Sequence, residues 1–88
     1  MNILAMDDES LALKRVERLL KELGYTCTCV DTQVGLEEAL MKERFDVFIL
    51  DIQMPTISGI DVAKNLLKAQ PEAFIFFHTA YEHHALKA

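Results

Sequence analysis

The chain has 88 residues, 51% of them apolar, and its 14 acidic against 9 basic side chains leave a formal charge of −5. That apolar share is too high for a disordered tail, while the longest apolar runs are too short to span a bilayer. An acidic balance without a Lys/Arg cluster argues against a segment that grips nucleic-acid phosphates, which requires cations in register.

Asn2 to Met6 is apolar, too short for a helix, and bounded by Asp7-Asp8, so it reads as a buried strand. From Ser10 the period changes. Ala12, Val16, Leu19 and Leu23 recur at helical spacing among charged residues, which predicts an amphipathic helix of about three and a half turns. Gly24 suits the left-handed position after a helix, and Tyr25 to Val30 is rich in β-formers, predicting a second strand. Thr32 to Glu43 is helical again, with Leu36, Ala39 and Leu40 as its stripe, and Phe45 to Leu50 is the third strand. Ile52 to Gly59 holds a Pro and a Gly and reads as a loop. Ile60 to Ala69 forms a third helix that Pro71 prevents from continuing, Ala73 to Phe77 a fourth strand, and Tyr81 to Ala88 the opening of a fourth helix. The alternation predicts an α/β fold, a doubly wound parallel sheet with helices on both faces and right-handed crossovers.

In this fold class ligands bind at the carboxyl ends of strands, near the point where strand order reverses. Asp7-Asp8, Asp51 and Thr79 all follow predicted strands. Carboxylates gathered at one sheet edge repel one another and are costly to desolvate unless a cation neutralises them. An all-oxygen set suits Mg²⁺, which keeps several waters and takes one or two carboxylates plus a phosphoryl oxygen. Beside such an ion Asp51 is placed to attack a phosphoryl donor and form an aspartyl phosphate, with the Thr79 hydroxyl donating to a phosphoryl oxygen.

Three stretches carry a family resemblance: Ile3-Leu4-Ala5-Met6-Asp7-Asp8-Glu9, Leu50-Asp51-Ile52-Gln53-Met54-Pro55-Thr56-Ile57-Ser58-Gly59 and His78-Thr79-Ala80. Together they resemble the receiver domain of two-component response regulators. The resemblance implies a flavodoxin-like fold in which Asp51 is the phosphoacceptor and Thr79 the switch residue. It further implies that Asp8 is a direct Mg²⁺ ligand, Asp7 acts mainly through water, and Gln53 contributes its backbone carbonyl. A sensor histidine kinase is the implied partner. The domain would catalyse its own phosphorylation and dephosphorylation rather than turn over a substrate. The segment from Thr79 to Ala88 is similar to LytTR-type regulators, in which DNA binding would belong to a separate C-terminal domain and not to this segment.

Against the family pattern, residues 1–88 are expected to form a receiver incomplete at its C-terminus. They lack a counterpart of the fifth strand and fifth helix, with the Lys that pairs with the phosphoryl group. The Phe74-Ile75-Phe76-Phe77 strand is then an open apolar edge, which predicts a homodimer or swapped assembly. An alternative is a truncated pseudo-receiver that serves only as an interaction or dimerisation fragment. Asp51-x-Gln53 also invites comparison with haloacid-dehalogenase-type phosphatases, but Gln53 cannot serve as their second, acidic Asp.

Cys27 and Cys29 fall on one face of a strand and read most simply as small buried hydrophobes, with a redox or metal role as the alternative. With no basic leader at Met1-Asn2-Ile3-Leu4 and no disulfide framework, the expected location is the cytoplasm, without membrane association. His83 and His84 are adjacent and read as solvated. His78 reads as a packed or edge histidine.

Overall fold

A computed structural model describes residues 1–78 of the chain. The elements run β1 (Ile3–Met6), α1 (Ser10–Glu22), β2 (Cys27–Val30), α2 (Gln33–Lys42), β3 (Val47–Asp51), α3 (Gly59–Ala69) and β4 (Phe74–His78). The expected fourth helix, with Thr79, Tyr81, His83 and His84, lies outside the described residues.

All strand pairings are parallel, and the sheet order is β2-β1-β3-β4. The chain leaves β1 in one direction to make β2, then returns past it to make β3. The gap between β1 and β3 is therefore the point where strand order reverses, and Asp7 and Asp51 stand at its two carboxyl ends. Right-handed crossovers put α1 on one face of the sheet and α2 with α3 on the other. On the latter face, Leu4, Met6, Phe48 and Leu50 meet Leu36 of α2 and Val62, Ala63 and Leu66 of α3. Leu4, Phe48 and Leu50 are fully buried, each such side chain contributing about 1.5–3 kcal/mol.

The helix ends follow local chemistry. Gly24 has φ +92°, and its N–H donates to Lys21 O while Tyr25 N–H donates to Leu20 O, the paired bonds of a Schellman turn. Thr32 caps α2 by accepting from Gly35 N–H at 2.9 Å, and Ser58 caps α3 by accepting from Ile60 N–H at 3.2 Å.

Several boundaries shift from the sequence expectation for identifiable reasons. Tyr25 is spent on the turn that ends α1, so β2 begins at Cys27. Asp46 precedes β3 because its backbone and carboxylate both bond Asn2, at 2.8 and 2.9 Å, tying the start of β3 to the start of β1. The apolar stripe expected for α1 needs a larger correction. Leu13 is its buried residue, while Leu19 and Leu23 are 60% and 72% exposed. Leu13, Val16 and Leu20 make a second line at helical spacing, and the half-burial of the latter two turns that line toward the sheet.

Gly59 is the tightest point of the loop after β3. A Cβ there would lie 2.0 Å from the carbonyl oxygen of Asp51, so α3 begins against the backbone that carries Asp51, and only glycine fits. At Gly24 a side chain meets no neighbour, and the positive φ alone opposes it. Urea denaturation is expected to show Gly59→Ala losing at least about 2 kcal/mol and Gly24→Ala about 1 kcal/mol. Equal losses would mean that the loop after β3 moves away from Asp51 at little cost.

Candidate functional site

Asp7 ends β1 and Asp51 ends β3, and both side chains are buried, whereas Asp8 is exposed. Each buried carboxylate accepts one backbone N–H from two residues on. Glu9 N donates to Asp7 Oδ1 at 2.9 Å, and Gln53 N donates to Asp51 Oδ1 at 3.2 Å. These short turns aim the carboxylates out of the strand ends rather than along them. One carboxylate oxygen from each of Asp7, Asp8 and Asp51 lies within 4.8 Å of the others, so the three acids proposed from sequence meet at one place.

Burial pushes the Asp51 carboxyl up to about 6, and the negative charge of Asp7 adds to the rise. The Gln53 N–H and the nearby His78 oppose it without cancelling it. An all-carboxylate set, two members buried and one raised by that burial and by its neighbour's charge, fits a hard divalent cation of the Mg²⁺ type. Gln53 uses its N–H on Asp51 and pairs across the loop with Ser58 in an isolated bridge. A hollow of about 290 Å³ opens beside the acids, its lining including Glu9, Arg15, Gln53 and His78. It is small for a nucleotide and suited to an ion with a small anionic group.

His78 is the residue whose place the sequence underdetermined. It pairs with Asp51 across the β3–β4 ladder, and its Nε2 lies 3.5 Å from Asp7 Oδ2. That nitrogen is buried without a hydrogen-bond partner among the described residues. The separation is too long for a hydrogen bond, so the ring borders the acid cluster with a free polar atom. Its position beside Thr79 was the only hint in the sequence. Thr79 itself lies outside the described residues.

Comparison with known proteins agrees with this arrangement. Residues 3–88 match the family model described as response regulator receiver domain. The positive alginate biosynthesis regulatory protein of Pseudomonas aeruginosa is 35% identical over 91 residues, a match that covers 100% of this chain and 37% of that protein. The sensory transduction protein LytR of Staphylococcus haemolyticus is 37% identical, with coverage of 100% and 35%. The chain thus spans little more than a third of the length of these curated relatives. Among solved structures, the response regulator protein TrrA of Thermotoga maritima in complex with Mg²⁺–BeF superposes with a TM-score of 0.83 at 34% identity, covering 94% of this chain and 72% of that one. TrrA in complex with the histidine kinase ThkA gives a TM-score of 0.80 at the same 34% identity, covering 91% and 69%.

The raised carboxyl has a definite sign. A folded-state pKa above the unfolded value stabilises the fold below both values, and that contribution is lost as pH rises through about 6. In metal-free solution at about pH 7, Asp51→Asn is therefore expected to raise the urea midpoint, with the gain shrinking as the pH is lowered toward the ordinary carboxylate range. A lower midpoint at neutral pH would show that the Asp51 charge is already compensated by the protein.

Proposed function

The chain belongs to the response regulator receiver domain family, and on that premise we propose that it accepts a phosphoryl group on Asp51 from a sensor histidine kinase. The observation that carries the proposal is the convergence of Asp7, Asp8 and Asp51 at the reversal of strand order. Asp8 and Asp51 would hold Mg²⁺ directly, with Asp7 acting through water and Gln53 through its backbone carbonyl. Bound there, Mg²⁺ supplies positive charge against the acids and the transferring group. The protein's own contribution is positional. The end of β3 and the Gly59 contact hold the Asp51 carboxylate at the hollow, and the Gln53 N–H occupies Oδ1, leaving Oδ2 to attack phosphorus. In that step the bond from phosphorus to its donor breaks, the donor leaves with the electron pair, and an acyl phosphate forms on Asp51. Thr79, directly after β4, is proposed as the residue that registers the new group. The domain modifies itself once per cycle and is not a turnover enzyme.

Within the family, the relatives named LytR and LytT support a LytTR-type parent. On this reading DNA binding belongs to another part of the full protein, in keeping with the acidic balance of this segment, and the protein works in the cytoplasm. Among the described residues no helix is long and apolar enough to cross a membrane.

Incubation with acetyl phosphate and Mg²⁺, followed by intact-mass measurement, is expected to show one phosphoryl adduct on the parent chain and none on Asp51→Ala. Asp8→Ala is expected to slow adduct formation about a hundredfold. A parent chain without adduct would overturn the phosphoacceptor assignment for these residues.

A second reading, association through the sheet, is favoured by β4. Phe74, Phe76 and Phe77 are 67%, 58% and 45% exposed on a strand that ends the described sheet. Among the described residues such an edge offers both apolar area and unpaired backbone groups to another copy of the chain. Light scattering at micromolar concentration is expected to report a dimer that Phe76→Lys converts to monomer. A monomeric parent chain under those conditions would remove this reading.

A further inference from the structure

Cys27 and Cys29 stand opposite Ile3 and Ala5 in the β1–β2 ladder, away from the carboxyl ends that carry the acids. Their sulfurs lie 3.6 Å apart in an S–H···S contact, both thiols are free, and both side chains are half-buried. Residues two apart on a strand point the same way, with Cα atoms about 6.6 Å apart. A disulfide draws its Cβ atoms to about 3.8 Å. Closing one here would pull β2 out of its ladder, so the pair is poorly placed for a sulfur–sulfur bond.

A bridging ion has a wider reach. Two metal–sulfur bonds of about 2.3 Å each span sulfurs up to about 4.6 Å apart. Rotation of the two side chains, moving the sulfurs apart by about 1 Å, meets that span with the backbone unmoved. Among the described residues no third His, Cys, Asp or Glu atom joins the two sulfurs. Zinc completes four ligands in structural sites, whereas thiolate sulfur selects soft ions such as Cu(I). Two sulfurs alone therefore favour a soft ion of low coordination number.

We propose that Cys27 and Cys29 form a two-thiolate site for one Cu(I) ion, separate from the acid cluster. Binding releases one proton from each thiol and leaves a complex with one net negative charge. A hollow of about 440 Å³ beside Cys27, lined by Lys14, Arg18 and Lys21 of α1, gives an ion a way to the pair, and Glu17 opposes the anionic complex. Burial pushes both thiols up, Cys29 to about 12, so they remain protonated until a cation displaces the protons. The pair is thereby kept from ordinary thiolate reactions and left open to a thiophilic ion.

The test is an anaerobic titration of the 88-residue chain with Cu(I) against the chelator bicinchoninate, with Mg²⁺ in excess to occupy the acids. One equivalent of copper is expected to be retained, and X-ray absorption is expected to show two sulfur neighbours. Cys27→Ser and Cys29→Ser, checked by circular dichroism, should each weaken retention at least about a hundredfold. Copper surrounded only by oxygen and nitrogen, or retained unchanged in either variant, overturns the site. The absorption measurement uses the parent chain and decides the matter even where a variant unfolds.

Discussion

Two buried carboxylates held side by side shape this molecule more than any single apolar contact. Asp7 and Asp51 end neighbouring parallel strands, and the register of β1 with β3 leaves them no room to diverge. The arrangement opposes folding, because each charge loses hydration and faces the other. Its cost is tolerated because the flanking core is nearly complete on the α2 and α3 face, where Leu4, Met6, Phe48 and Leu50 are shielded from water. The fold thus holds a repulsive pair in place, and a cation or phosphoryl chemistry is what gives that pair a use.

The loop after β3 adds a second constraint of the same kind. Gly59 brings the start of α3 against the Asp51 backbone, and Gly59 N–H donates to Ile52 O at 3.0 Å. A change at the carboxylate is therefore mechanically close to α3. On the other side, Ile52 N–H donates to His78 O at 3.3 Å, linking the same loop to the end of β4. Asp51 sits where a strand, a helix start and a neighbouring strand end meet.

Much of this was legible in the sequence. The alternation of short apolar runs with helical periods gave the element order, and the acids at strand ends gave the candidate site where Asp7, Asp8 and Asp51 converge, since parallel topology places such residues at one edge. What was not legible depended on tertiary choice. The apolar residues of α1 support two stripes, and only docking on the sheet turns Leu13 inward and leaves Leu19 and Leu23 exposed. Tyr25 and Asp46 look like strand residues but are taken by a helix cap and by the clamp to Asn2. His78 gave no periodic signal, because its place beside Asp7 follows from the β3–β4 register rather than from its neighbours in sequence.

The sheet order has a further consequence for how the domain bears load. β1, only Ile3–Met6, is hydrogen-bonded on both sides, to β2 and to β3. A pull on the chain along that strand strains two parallel ladders in shear, so their bonds must fail together rather than open one after another. β2 and β4 each have a described neighbour on one side only, so their bonds can open one after another. The inner strands β1 and β3, which lead to Asp7 and Asp51, are thus the mechanical keel of the described sheet, and β2 and β4 are its margins.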